Sequence, residues 1–182
     1  MAVGTDEVVY TTNAEDQNAV AELRKRIAQS NANANVNAND DGNGTCIGGA
    51  AQDADWTPVP SVSIAEGAHK YVLISATEPQ PQPGSTSTST ECYTIFFVTS
   101  KHGAAYHRNA AEPYVNLLQS KGYKDINVTG GGRIYYNEDE KKIAIYGYSY
   151  GFGLGDHARS KEVIEGDERF KGYDISWTND GY

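Results

Sequence analysis

Four histidines stand in this chain, His69, His102, His107 and His157, and none has the spacing of a metal pair. There is no HExxH pattern, and Cys46 and Cys92 lie far from each other and from any His-rich stretch, so a metal site is not expected. His107 follows Tyr106 at the apparent entrance to a helix. A helix start offers unpaired N–H groups and positive dipole character, so a histidine there can meet a bound phosphoryl group. A surface or capping histidine is the competing reading. A second candidate is Tyr148-Ser149-Tyr150-Gly151-Phe152-Gly153, where backbone N–H groups and the Ser149 hydroxyl could cradle an anion. An ordinary glycine turn reads the same way. The spacing is neither a dinucleotide fingerprint nor a phosphate-binding P-loop. Lys70 and Arg133 lie beside a strand and a glycine run, where a cation either faces a site or is simply solvated.

These residues need elements to hold them. Val62 and Ile64 alternate with serine, as in a short strand. His69 to Ala76 is rich in β-branched and aromatic residues, and Glu91 to Val98 reads likewise. A Pro/Gly/Ser/Thr loop, Pro79 to Thr90, joins them as a long-looped hairpin. A helix is expected from about Arg108 to Gln119, stopping at Gly122, with Pro113 disturbing its first part. Asp125 to Val128 and Arg133 to Tyr136 read as strand around Gly130-Gly131-Gly132, which implies a bulge or a close backbone approach. Lys142 to Ser149 is a further strand, His157 to about Phe170 a second helix, and Tyr173 to Thr178 a last strand. Strands and helices do not alternate regularly. The expectation is one α+β domain over residues 58–182, with a mixed sheet and two helices.

Residues 1–57 are different in kind, being rich in Ala, Asn, Asp and Gly. Val20, Leu23 and Ile27 have helical spacing within a short helix over residues 15–29, but few partners are evident for it. Ser30 to Asp41 is too polar to offset its chain entropy, so the extension is expected to be mostly disordered. The chain carries a formal charge of −9 and no long Lys/Arg run, which argues against nucleic acid and anionic membranes as partners. No apolar stretch approaches a membrane span, and the acidic start lacks the pattern of a targeting peptide. A cytoplasmic location with free thiols is therefore expected.

Taken in order, KYVLI at Lys70–Ile74, AYH at Ala105–His107, GGGRI at Gly130–Ile134, YGYS at Tyr146–Ser149 and SWTNDGY at Ser176–Tyr182 resemble the protein phosphohistidine phosphatase (janus/ocnus) family. The resemblance runs from about Pro58 to Tyr182. It implies a roughly six-stranded mixed sheet with a helix on each face. It also implies a metal-independent phosphatase, without cofactor, acting on N-phosphorylated side chains of proteins. By the same resemblance the histidine of the AYH motif, His107, is the catalytic residue. Lys70 and Arg133 support it, while Ser149 and the backbone at Gly151 bind phosphate. Backbone N–H groups around Tyr106, His107 and Arg108 complete the cradle.

Where the family carries an arginine eight residues before that histidine, this chain has Thr99, with Lys101 and His102 as the nearest replacements. Pro113 is unusual in the first helix, and residues 1–57 have no counterpart in the resemblance. The expected partners are phosphohistidine-containing proteins, phospholysine being a further P–N substrate, and the expected state is a monomer. The alternatives are a non-catalytic phosphoprotein-binding module of the same fold and a regulator acting through its N-terminal arm.

Overall fold

The computed structural model describes residues 13–35, 58–78 and 93–181. Its elements are α1 (Asn13–Asn35), β1 (Val62–Ser63), β2 (Gly67–Thr77), β3 (Thr94–Ser100), α2 (His107–Ser120), β4 (Lys124–Asn137), β5 (Lys142–Tyr146), α3 (His157–Glu165) and β6 (Asp174–Trp177). The strands form one six-stranded sheet in the order β1-β3-β2-β4-β5-β6. The outer pairs β1/β3 and β5/β6 are parallel and the inner pairs antiparallel, so the sheet is mixed as expected.

Side chains alternate along a strand, so the apolar run of β2 feeds two cores. Val72, Ile74 and Ala76 point to one face, where they join Ala111, Val115 and Leu118 of α2. Tyr71 and Leu73 point to the other, with Ile134, Ile143, Ile145 and Ile164 of α3. The α2 stripe is Ala110, Ala111, Tyr114, Val115 and Leu118, buried at the three- and four-residue spacing of an amphipathic helix. Gly122 ends it with φ of 81°, a left-handed position that suits glycine.

Three expectations need correction. The N-terminal helix runs Asn13–Asn35 and not 15–29, and residues 30–35, read as disordered, are its last turns. It does not lack partners. Val20, Leu23 and Ile27 are buried in the same core as α2, so that face of the sheet carries two helices. The remainder of the extension, residues 1–12 and 36–57, lies outside the described residues, as do Cys46, the expected Pro79–Thr90 loop and the first two residues, Glu91 and Cys92, of the strand expected from Glu91 to Val98. The second helix of the domain stops at Glu165 with Gly166 as its C-cap, and a separate 3-10 turn covers Glu168–Phe170. Pro113 does not delay the first helix. The helix begins at His107 and continues through the proline, which leaves the Asn109 carbonyl without its i+4 donor.

Candidate functional site

The site grows from the three glycines of β4. A Cβ at Gly130 would stand 2.4 Å from the Leu154 carbonyl oxygen, one at Gly131 2.5 Å from that of Tyr71, and one at Gly132 2.5 Å from that of Tyr146. Backbone therefore packs where side chains would be, as a glycine run in a strand implies. The pairing with β2 also shifts between Leu73 and Ile74, which leaves Thr129 as an extra residue. Its hydroxyl donates to the Leu73 carbonyl at 3.1 Å. The expected bulge and the expected close approach are both present.

Two segments use this room. The 149–155 loop docks edge-on, with Gly131 N–H donating to the Gly153 carbonyl at 3.1 Å and Gly155 N–H to the Gly131 carbonyl at 3.0 Å. The first residue of α2 comes down on the other side. His107 is 1% exposed, and its Nε2 lies 2.9 Å from the Gly132 carbonyl oxygen. A carbonyl only accepts, so Nε2 carries the proton and the Nδ1 lone pair is the reactive one in the neutral ring. Burial pushes the imidazole pKa down to about 4; the Gly132 hydrogen bond opposes this, and the charges of Lys70 and Arg133 add to it.

Those two cations are cross-strand partners, Lys70 on β2 facing Arg133 on β4. Burial lowers the Lys70 pKa first and the neighbouring Arg133 charge second, with Asp16 opposing both. Arg133 Nε is buried with no hydrogen-bond partner among the described residues. An orphaned guanidinium donor beside a neutral imidazole suits a bound anion.

At the start of α2, the Tyr106 N–H is held by the Asn109 side-chain oxygen at 3.0 Å, and no acidic residue occupies the first turn. The first-turn N–H groups of His107 and Arg108 have no intrahelical acceptor, so that end keeps its affinity for negative charge. Ser149 is buried at 1% exposure, and its Oγ accepts from Phe152 N–H at 3.1 Å, shaping the loop that presents Gly151. Its hydroxyl proton is still available to an acceptor.

Thr99 is buried in β3 opposite Val72, with Lys101 and His102 beyond the strand end. The cationic charges felt at His107 are Lys70 and Arg133, not Lys101 or His102. The His102 ring instead faces that of His69, with centroids 5.1 Å apart. His157 sits behind the glycines, its Nε2 2.8 Å from the Gly147 carbonyl oxygen and its Nδ1 hydrogen-bonded to the Tyr71 hydroxyl.

One residue of this neighbourhood escaped the sequence reading. Asp16 of α1 is 5% exposed, and its carboxylate feels Lys70, Arg108 and the Gly151 N–H. The signal was there: Asp16, Val20, Leu23 and Ile27 follow one another at four-, three- and four-residue steps, so the acid heads the apolar stripe.

The Janus/Ocnus family model matches residues 56–174. The 14 kDa phosphohistidine phosphatase of Sus scrofa is 35% identical over 133 residues, which is 72% of this chain and 99% of that protein. The protein of the same name from Homo sapiens is 35% identical over 130 residues, 71% of this chain and 98% of that protein. Sex-regulated protein janus-A of Drosophila pseudoobscura pseudoobscura is 31% identical over 131 residues, 71% of this chain and 82% of that protein. The family match spans the whole sheet except the last residues of β6, with α2, α3 and the glycine-built site, and this chain belongs to the Janus/Ocnus family.

Proposed function

We propose that the chain is a protein phosphatase that hydrolyses the P–N bond of phosphohistidine, with residues 58–182 as its catalytic domain and His107 as its central residue. The observation that carries this reading is the setting of His107: buried, Nε2 held on the Gly132 carbonyl, Nδ1 without a hydrogen-bond partner among the described residues, and the charges of Lys70 and Arg133 acting with burial to lower its pKa. The names of the phosphohistidine phosphatases that it resembles at 35% identity support it.

Phosphoryl transfer asks a protein mostly for positioning and charge stabilisation. Lys70, Arg133, the first N–H groups of α2 near Tyr106 and Arg108, Ser149 and the Gly151 N–H are the groups for that task. A site with this many donors has no chemical need of a metal, and metal independence belongs to the proposal. His107 Nδ1 attacks phosphorus as the substrate P–N bond breaks, and the departing imidazole nitrogen takes up a proton. Water then cleaves the new P–N bond, releasing inorganic phosphate and restoring His107. Exchange of one imidazole for another is close to isoenergetic. The competing step, in which His107 acts as a general base on water, has a value on the order of 10²–10⁴-fold. Phospholysine has the same bond type and is a second substrate class for this chemistry.

The test is phosphate release from a phosphohistidine peptide in EDTA, with wild type and folded His107→Ala side by side. Turnover by wild type alone is the expected result. Equal turnover by both proteins would falsify the role of His107. Rapid quench under single turnover should trap an acid-labile phospho-His107, and its absence assigns the base role. A second reading, a phosphoprotein-binding module without turnover, draws on Thr99 standing where the family resemblance has an arginine. It requires peptide binding with no phosphate release.

A further inference from the structure

Helix α1 packs against two parts of the cradle described above, the loop at Gly151 and the start of α2. A Cβ at Gly151 would meet Val20 Cγ2 at 2.4 Å and the Asp16 carbonyl oxygen at 3.4 Å, so the loop backbone is pressed directly against the helix. The Tyr106 hydroxyl donates to Glu15 Oε2 at 3.4 Å. Further along, Arg24 donates to the Phe152 carbonyl at 3.5 Å with its guanidinium 5.5 Å from the Phe152 ring centroid. Arg26 pairs with Glu112 of α2 and donates to Asn116 Oδ1 at 3.2 Å.

Asp16 is the buried end of this arrangement. One of its carboxylate oxygens, Oδ1, is buried without a hydrogen-bond partner among the described residues. Burial raises its pKa, while Lys70, the Gly151 N–H and Arg108 pull it down. An acidic residue in the first turn is ordinarily satisfied at the surface by its own helix dipole, as exposed Glu15 is placed to be. Asp16 instead meets the Gly151 N–H and the charges of Lys70 and Arg108, and the Gly151 N–H and Lys70 are groups assigned above to a phosphoryl oxygen.

We propose that α1 is an internal inhibitor of this site, with the Asp16 carboxylate standing in for the phosphoryl group so that a phosphorylated substrate must displace it. The inference rests on the assignment of the cradle under Proposed function, and it adds regulation to that site. The catalytic unit is matched by the family model only from residue 56, so α1 is an addition to the shared domain. His107 itself is almost wholly buried. An intramolecular competitor acts on access and not on chemistry. It raises KM and leaves kcat nearly unchanged.

The experiment compares the full chain with its Asp16→Ala and Arg26→Ala variants. Arg26 anchors α1 to Glu112 and Asn116 of α2 and puts no group of its own into the cradle, so its loss loosens the helix, while Glu112 keeps its pairing with Arg108. Two readouts are needed. The first is kcat and KM on a phosphohistidine peptide. The second is binding of inorganic phosphate, followed at the Gly151 amide by NMR, which needs no turnover. Asp16→Ala should lower KM and tighten phosphate binding about tenfold, within the ordinary range of coupling between sites, with kcat within about twofold. Arg26→Ala should move both in the same direction by less, and it decides the matter if Asp16→Ala fails to fold. Unchanged phosphate affinity and KM in the folded variants overturn the proposal. So does a fall in kcat on Asp16→Ala, which makes Asp16 part of the chemistry. Tighter phosphate binding with no turnover by any protein sinks the phosphatase reading and leaves the inhibitor standing.

Discussion

His107 holds its proton on Nε2 because the Gly132 carbonyl can only accept, and that one hydrogen bond leaves the lone pair on Nδ1. Without burial the ring would titrate near 6.5 and be largely protonated in mildly acidic solution. Burial first, then the charges of Lys70 and Arg133, bring it down to about 4. The ring therefore stays neutral through the range in which a free histidine charges. Nitrogen NMR of the imidazole should show one tautomer, with Nδ1 unprotonated, from neutral pH to below pH 6, and a midpoint far under 6.5. A midpoint near 6.5 in the folded protein rules out this environment. Between about 4 and 6.5 the unfolded chain binds the proton that the folded chain refuses. This group's contribution is therefore present above about 6.5 and is lost as pH falls towards 4.

At the scale of elements, α1 has to be explained by packing. Asn is a poor helix former and most helix stability in proteins comes from packing, and the apolar stripe of α1 is narrow, Val20, Leu23 and Ile27. Burying a side chain of that size is worth roughly 1.5–3 kcal/mol. Replacing Leu23 by Ala should remove a large part of what holds α1 down. Hydrogen exchange should then speed up across α1, while the amides of β2 and β4 keep their protection. Loss of protection in the sheet as well would mean that α1 is integral to the core. The strands were legible because β2 and β3 feed two cores and so read as unbroken apolar runs, and α2 because Ala110 to Leu118 repeats at helical spacing. The docking of α1 was not legible. Three apolar residues at helical spacing look the same whether or not a groove exists to receive them, and this groove is made by β4 and α2, which follow far along the chain. The role of Asp16 was hidden for the same reason, since an acid near a helix start is satisfied by the dipole in most helices. The glycine run of β4 was read correctly as a close approach, but which backbone approaches it depends on the 149–155 loop.

Across the whole molecule the charge distribution sets which peptides approach the site. The chain carries −9 overall, yet the candidate site gathers Lys70, Arg133 and Arg108 at the start of α2. On the proposed function a phosphoryl group is drawn in at short range, while the net negative charge of the chain should repel acidic flanks and attract basic ones. The range of that field is the Debye length, roughly 30 Å at 0.01 M salt and roughly 10 Å at 0.1 M. Two phosphohistidine peptides that differ only in their flanks, one lysine-rich and one glutamate-rich, separate the two effects. At low salt the lysine-rich peptide should have the lower KM. Raising the salt should increase its KM, lower that of the glutamate-rich peptide, and bring the two together. The phosphoryl contacts, being shorter than any of these screening lengths, should hold kcat steady over the same range. If the two KM values are equal at low salt, the net charge plays no part in choosing the substrate, and selection falls to the groups that touch the phosphoryl group itself.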